Sequence, residues 1–137
     1  MFNIKQKPSN MFKNLIVTSL LGVIAIILGA FGAHTLKDTL TIDQLLSFET
    51  GVRYQMYHVI VLLFVNGFNF LSEEQKNGIS YFFFAGILFF SGSIYLIQLA
   101  KIPAKSIWFI TPLGGLFFII GWSLLFAIFI KKSLQKS

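Results

Sequence analysis

One stretch of eleven residues, 48–58, concentrates the side chains of this chain that are able to do chemistry. It carries a carboxylate, a guanidinium, two phenols, an amide and an imidazole, and it runs directly into the apolar segment 59–65. Ionisable groups beside lipid are costly unless they are paired or face water, which makes them functional candidates by default. The stretch therefore predicts a polar site at the boundary of a membrane.

Glu49 and Arg53 are the two charged members of this stretch. They are four residues apart, a spacing that favours an ion pair on a helix. A structural pair that fixes how the helix enters the membrane is the favoured interpretation, and a ligand-binding pair is the alternative. Because successive helical residues turn by about 100°, the polar residues from Glu49 to His58 cover half of the helix surface.

The composition places these residues in a membrane protein. The chain has 137 residues, of which 55% are hydrophobic and 12% are charged, whereas soluble domains carry about 25% charged residues. The net charge of +6 comes from residues at the ends of apolar runs, so it indicates membrane orientation rather than nucleic-acid binding. With no cysteine, the chain has no disulfide and no thiolate site.

Four apolar runs are long enough to cross a bilayer of roughly 30 Å at 1.5 Å per residue. We predict a single domain, 1–137, with a weakly ordered tail at 1–14 and spans at about 15–33, 52–71, 79–99 and 107–130. A cleavable secretory signal is the alternative for the first run, but we expect a retained span. The fold class is all-α: an integral membrane four-helix bundle with antiparallel up-down topology.

A short interfacial helix is predicted before the second span, at about 42–50. Thr41 and Gln44 have the spacing of a capping box, in which the two side chains and backbone amides bond reciprocally. Gly51 follows and allows a bend into the membrane. The small residues of the first span are predicted to be close-packing points for another helix.

The basic residues favour a cell-membrane protein with both termini in the cytoplasm. Seven of the eleven lie on the side of the termini and the second loop, against four opposite. This topology gathers polar residues from all four spans at the non-cytoplasmic face. The predicted ligand-binding or structural cluster is His34, Glu49, Thr50, Arg53, Tyr54, Gln55, Tyr57, His58, Ser91, Ser93, Tyr95, Gln98 and Thr111. Tyr54, Tyr57, Tyr95 and Trp108 are also predicted to form an interfacial aromatic belt.

Three classes of function fit this pattern. The preferred one is a non-enzymatic membrane module whose polar cluster binds a small ligand, a lipid headgroup or a protein partner. An oligomeric small transporter or channel is the alternative, with Asn66 and Asn69 at a cytoplasmic mouth. A membrane-embedded enzyme would use His58 or His34 as base and Glu49 to orient it. We predict no catalytic residues, cofactor or metal, because two histidines without a ligand motif are weak evidence; the expected partners are the lipid bilayer and a second copy of the chain.

Five short motifs resemble the signatures of the domain of unknown function 423 family. They are residues 29–34 (GAFGAH), 48–58 (FETGVRYQMYH), 88–96 (LFFSGSIYL), 110–115 (ITPLGG) and the pair Gly121-Trp122. The resemblance extends over about residues 21–125. It implies a small four-span membrane protein, and it implies no particular activity, since members of that family carry none that is established.

Overall fold

Four long helices make up the protein in the computed structural model, which describes residues 10–135. Helix α1 is Asn10–His34, α2 is Ile42–Gly67 and α4 is Ile110–Gln135. Helix α3 is Glu73–Leu99 and contains a π-helical turn at Ile87–Ser91. At 25 to 27 residues each, the four helices are about 38–40 Å long. The predicted all-α helical bundle is confirmed.

Three of the helices within residues 10–135 are both long and apolar enough to cross a membrane. They are α1, α3 and α4, and the residues of their most apolar parts are mostly exposed on the protein surface, as expected where lipid is the solvent. Helix α2 has the length but not the apolarity, because its first half holds the polar stretch. That α2 crosses the membrane stays a prediction.

The predicted interfacial helix and second span form one continuous helix. Thr41 caps it as predicted: the Gln44 amide donates to Thr41 Oγ1 at 3.3 Å, and the Thr41 amide donates to Gln44 Oε1 at 3.0 Å. The helix then runs through Gly51 to Gly67 without a break. A side chain at Gly51 would lie 3.2 Å from atoms of Ile94 and Tyr95, so this glycine serves close packing against α3.

Several predicted boundaries shift by a few residues. Residues 1–9 of the tail predicted at 1–14 lie outside the described residues, and residues 10–14 already belong to α1. The second span was predicted to reach 71, but α2 ends at Gly67. Helix α3 begins at Glu73, earlier than the predicted 79, because Ser72 and Gln75 form a second capping box.

Glycines bring α3 and α4 into close contact. Gly114 packs directly on the backbone of Phe90, inside the π-helical turn, and Gly86 packs on the ring of Phe118. A β-carbon at Gly121 would lie 2.6 Å from the ring of Phe83. Side chains at these positions would separate the two helices, so the glycines determine the packing of this half of the bundle.

Two hydrophobic clusters form the core. The larger lies in the half that holds the α2–α3 connection and consists of Leu62, Val65, Leu71, Ile79, Phe83, Ile87, Phe118 and Leu125. The smaller one consists of Leu36, Leu40 and Phe48, at the end of the bundle where α1 turns into α2. The predicted polar residues lie at and between these clusters.

Candidate functional site

Gln55 is the centre of a hydrogen-bonded network between α1, α2 and α3. Its side chain is only 2% exposed. The amide Nε2 donates to the Leu21 carbonyl at 2.8 Å, and Oε1 accepts from the Tyr95 hydroxyl at 2.7 Å. A buried amide with both ends bonded stabilises a specific helix arrangement rather than offering a ligand site. Tyr95, predicted for the aromatic belt, thus faces the bundle interior.

Ser91 and Ser93 bond α3 to its neighbours at the π-helical turn. The Ser91 hydroxyl, fully buried, donates to the Gly51 carbonyl of α2 at 2.6 Å. The Ser93 hydroxyl donates to the Phe90 carbonyl at 2.9 Å and shares a hydrogen bond of 2.5 Å with the Thr111 hydroxyl of α4. These contacts occupy both hydroxyl groups, and the bond from Ser93 to Phe90 gives a donor to a carbonyl of the π turn itself.

His58 is held by hydrogen bonds at both ring nitrogens. Its Nδ1 lies 2.7 Å from the Tyr54 carbonyl, which only accepts, so Nδ1 carries the proton. Nε2 then accepts from Trp122 Nε1 at 3.2 Å. The imidazole also stacks on Phe118 with ring centroids 3.6 Å apart. A neutral imidazole with both nitrogens occupied packs the core and presents no free base.

Three other residues of the predicted cluster lie on the periphery of α2. Tyr54 and Tyr57 are 40% and 52% exposed, and the centroids of their rings lie 6.0 Å apart. The Thr50 hydroxyl donates to the Leu46 carbonyl of its own helix at 2.9 Å. Both tyrosines lie near the middle of α2, so the interfacial belt expected at the end of a span stays a prediction. Trp108, 71% exposed, completes this aromatic set.

Glu49 and Arg53 lie apart from these networks, in a pocket of about 300 Å³ between α1 and α2. Gly29 and Gly32 form its floor on α1, with Phe48 and Val52 on α2. Arg53 is exposed and Glu49 is half-buried. No ion pair shorter than 4.0 Å joins side chains of residues 11–135, so the expected Glu49–Arg53 pair is not formed.

An apolar groove follows the same pair of helices below this pocket. Its volume is about 480 Å³, and its walls are Ser19, Gly22, Val23, Ile26, Ile27, Met56, Val59, Ile60 and Leu63. On α2 the residues that line the charged pocket are followed at spacings of three or four by those that line the apolar groove, from Glu49 to Leu63. Both therefore lie on one face of the helix. Fourteen residues of helix make this face about 21 Å long. We call the charged pocket and the apolar groove together the α1–α2 groove.

His34 and Gln98 are separate from both regions. His34, the last residue of α1, is exposed. Gln98 is 8% exposed and lines another pocket, of about 320 Å³, beside Thr39 and Lys101. Within residues 10–135 no three histidine or acidic residues lie close enough to hold a metal ion. The thirteen predicted residues are therefore divided among buried bonds, an aromatic surface, the α1–α2 groove, the Gln98 pocket and the remaining surface, where His34 lies.

A second buried polar cluster, at the opposite end of the bundle, was not predicted. The Asn14 amide donates to Asn66 Oδ1 and to Asn77 Oδ1, both at 3.0 Å, and the Asn66 amide donates to the Ser80 hydroxyl at 2.8 Å. Lys76, 3% exposed, places its ammonium 3.5 Å from the Asn66 carbonyl near the C-terminus of α2, where positive charge is favoured. The sequence signal that could have revealed this cluster is the presence of polar residues at the starts of apolar runs, namely Asn14, Asn77 and Ser80.

Comparisons with known proteins agree on one family. A model described as protein of unknown function (DUF423) matches residues 28–115. A UPF0382 membrane protein of Staphylococcus aureus is 40% identical over 81% of this chain and 89% of its own length. A UPF0382 membrane protein of Haemophilus influenzae is 40% identical over 89% and 98%, and the UPF0382 inner membrane protein YgdD of Escherichia coli is 34% identical over 81% and 84%. No solved structure matches the chain.

Proposed function

The chain is a multi-pass membrane protein that belongs to the DUF423 family, also named UPF0382, and we propose that it is a non-enzymatic module that binds one phospholipid in the α1–α2 groove. The headgroup lies against Glu49 and Arg53, and an acyl chain lies along the apolar part. The observation that carries this proposal is a pair of opposite charges, without an ion pair between them, at one end of an apolar groove.

The charges of the pocket complement a zwitterionic headgroup. A guanidinium binds a phosphate through two parallel N–H···O bonds, and a carboxylate accepts from a primary ammonium. Phosphatidylethanolamine has both groups next to each other, so its phosphate matches Arg53 and its ammonium matches Glu49. Binding would compensate two charges that are expensive to leave unpaired at a membrane boundary.

The apolar part of the groove suits a large part of an acyl chain. From Met56 to Leu63 it extends about 10 Å along α2, compared with about 15 Å for one leaflet of a 30 Å hydrocarbon core. Gly22 and Gly29 on α1 leave the groove floor open, because they have no side chain to fill it. A chain that starts at the headgroup pocket therefore fits along the same face.

We further propose that this headgroup pocket lies in the non-cytoplasmic leaflet, with both chain termini in the cytoplasm. The excess of basic residues on the side of the termini supports this orientation. A reporter fused to the C-terminus is expected to be active only in the cytoplasm. Activity in the periplasm or outside the cell would reverse the assignment.

The direct test is lipid retention measured by native mass spectrometry after purification from nanodiscs that contain equal amounts of phosphatidylethanolamine and phosphatidylcholine. Phosphatidylcholine has no N–H donor for Glu49, so the protein is expected to retain phosphatidylethanolamine preferentially. Glu49→Gln should reduce this preference, and Arg53→Gln should weaken retention of both lipids about tenfold, the effect of one charge-assisted bond.

Two matched variants serve as controls for charge. Asp43→Asn removes an exposed carboxylate from the same helix, and Lys105→Gln removes an exposed cation outside the groove. Both are expected to retain lipid as the unmodified protein does. Equal retention by all four variants would contradict the proposal.

The two other function classes give different outcomes. A transporter or channel predicts solute flux in proteoliposomes that Glu49→Gln or His58→Ala abolishes, and that result would replace lipid binding as the main function. Assembly of several copies around a pathway would appear as a larger mass in detergent. An enzyme with His58 as base would need a free ring nitrogen, whereas both nitrogens of His58 are bonded.

A further inference from the structure

A second groove lies between α2 and α4, beside the α1–α2 groove. Its volume is about 470 Å³. Helix α4 packs mainly on α3, and α2 packs on α1 and α3, so a gap remains between α2 and α4. Ile60 lines both grooves and forms the ridge between them. The other walls of this α2–α4 groove are Val61 and Phe64 of α2 and Trp122, Leu125, Phe126 and Phe129 of α4.

Contacts behind the walls hold the α2–α4 groove in shape. The Trp122 indole donates to His58 Nε2 at 3.2 Å, which fixes the ring at one end of the groove. At the other end, Phe70 of the α2–α3 connection contacts Phe64 and Phe129, with ring centroids 5.4 Å and 5.6 Å apart. An occupant therefore binds without having to order these walls, which lowers the cost of binding.

Lys132 lies where the α2–α4 groove reaches the end of the bundle. It follows Leu125 by seven residues and Phe129 by three, so it is on the same face of α4, one turn beyond the groove. Its side chain is half-buried, and within residues 11–135 it forms no ion pair. A lysine stem covers apolar surface while its ammonium reaches the headgroup region. The apolar groove therefore has a positive charge at its mouth.

The charges around Lys132 favour an anionic occupant. Basic residues exceed acidic ones at this end of the bundle, where the described residues are Lys13, Lys76, Lys131 and Lys132 against Glu73 and Glu74. Basic clusters at a membrane surface attract anionic lipid headgroups. A zwitterionic headgroup gains less, because its own ammonium is repelled by the lysines.

The walls of the groove select a hydrocarbon chain. The indole N–H of Trp122 is the one side-chain donor among them, and it is bonded to His58. From Trp122 to Phe129 the groove extends about 10 Å along α4, which is most of the 15 Å or so of one leaflet. We propose that the α2–α4 groove binds an acyl chain of phosphatidylglycerol, whose phosphate accepts from Lys132 Nζ.

This second lipid site does not depend on the phospholipid of the α1–α2 groove. The two headgroups lie at opposite ends of the bundle, one at Lys132 and the other at Glu49 and Arg53. A second copy of the chain suits the α2–α4 groove less well than a lipid does. In a two-fold dimer the partner would bring its own basic residues to the same end, whereas an anionic lipid neutralises them.

Trp122 provides a direct readout, because it lines the groove and the chain has one other tryptophan, Trp108. In the Trp108→Phe variant, Trp122 fluorescence is measured in phosphatidylcholine vesicles that contain increasing fractions of a lipid with bromine atoms, which quench tryptophan, in the middle of its acyl chains. Brominated phosphatidylglycerol should reach half-maximal quenching at about a fivefold lower fraction than brominated phosphatidylcholine, the effect of one lysine near a membrane surface.

Lys132→Gln, made in the same Trp108→Phe background, should abolish this preference, so that the two brominated lipids quench alike. Lys132→Arg should preserve it, because the positive charge remains. Lys131→Gln is the matched control: this neighbouring lysine is exposed and lies about 100° further around α4, away from the groove. It should quench like the Trp108→Phe protein.

Moving the tryptophan by one residue tests whether the groove itself selects the lipid. Ser123 is exposed and does not line the groove, so Ser123→Trp combined with Trp108→Phe and Trp122→Phe should show no preference between the two brominated lipids. The proposal is overturned if Ser123→Trp shows the same preference as Trp122, or if Lys132→Gln retains it. It is also overturned if neither lipid quenches Trp122 and the mass in detergent is that of a dimer, which would assign the groove to a second copy.

Discussion

On the side of α2 that faces the other helices, Gln55 and His58 bond their polar atoms to α1, α3 and α4. On the side that faces the α1–α2 groove, Arg53 lies two residues from Gln55 and Glu49 lies six residues from it, and the two form no ion pair. Both pairs are polar and adjacent in sequence. The difference shows that one helix bonds its polar groups within the bundle on one side and leaves them unpaired on the other, and the unpaired side is the one that we propose to bind a ligand.

The largest difference in stability is expected between a glycine of the packed interior, Gly114, and a glycine of the α1–α2 groove, Gly29. Gly114→Val would place a side chain against the Phe90 backbone and should destabilise the protein by roughly 3 kcal/mol, the upper range for overpacking. At Gly29 on the groove side, a β-carbon would lie 3.5 Å from Val52, an ordinary contact. Gly29→Ala should therefore be neutral or stabilising by up to about 1 kcal/mol.

Unfolding in mixed micelles with increasing dodecyl sulfate, followed by circular dichroism, measures both glycine variants. Lipid retention provides a second readout for Gly29→Ala, whose methyl group enters the headgroup pocket. If Gly114→Val is as stable as Gly29→Ala, the α3–α4 contact does not determine the packing.

An intermediate effect is expected for the buried amide. Gln55→Leu removes both bonds and leaves the half-buried Tyr95 hydroxyl without its acceptor, at a cost of about 2 kcal/mol. Arg53→Gln, two residues away on the groove side, should change stability by less than about 0.5 kcal/mol. The same unfolding assay compares them. Equal losses would show that the two sides of α2 contribute alike to folding.

The smallest effect is expected for the bond between His58 and Trp122. A double-mutant cycle with His58→Phe and Trp122→Phe isolates it, because each change keeps an aromatic ring in place. The coupling should be about 0.6 kcal/mol, the average for bonds between membrane helices. Nitrogen chemical shifts of His58 give an independent check, since they report which ring nitrogen carries the proton. A proton on Nε2 would contradict the bond from Trp122.

Much of the fold was predictable because its signals are local. The four apolar runs correspond to α1 to α4, and the Thr41–Gln44 capping box forms as predicted. The interfacial helix was separated from α2 because Gly51 resembled a bend. The structure uses Gly51 for contact with Ile94 and Tyr95, and a contact between residues more than forty positions apart has no local signature.

The residues of the candidate site were predictable, but which of them bond inside the bundle and which face outward was not. The charge count and the span order gathered thirteen residues at one end, yet rotation of α2 turns Gln55 inward and Arg53 outward. The Asn14, Asn66 and Asn77 cluster was missed, although Asn66 was named for a cytoplasmic mouth, because its three asparagines lie in three separate segments. Only the packing of three helices makes them neighbours.

The sequence by itself determined the membrane class, the four helices and the concentration of polar groups at residues 48–58, because hydropathy and helix formation depend on residues close in the chain. The tertiary structure alone decided which polar groups bond to each other and which remain open at the α1–α2 groove and the Gln98 pocket. The physical reason is that helix rotation depends on long-range contacts such as Gly114 with Phe90 and Ser91 with Gly51, which set partners across the bundle.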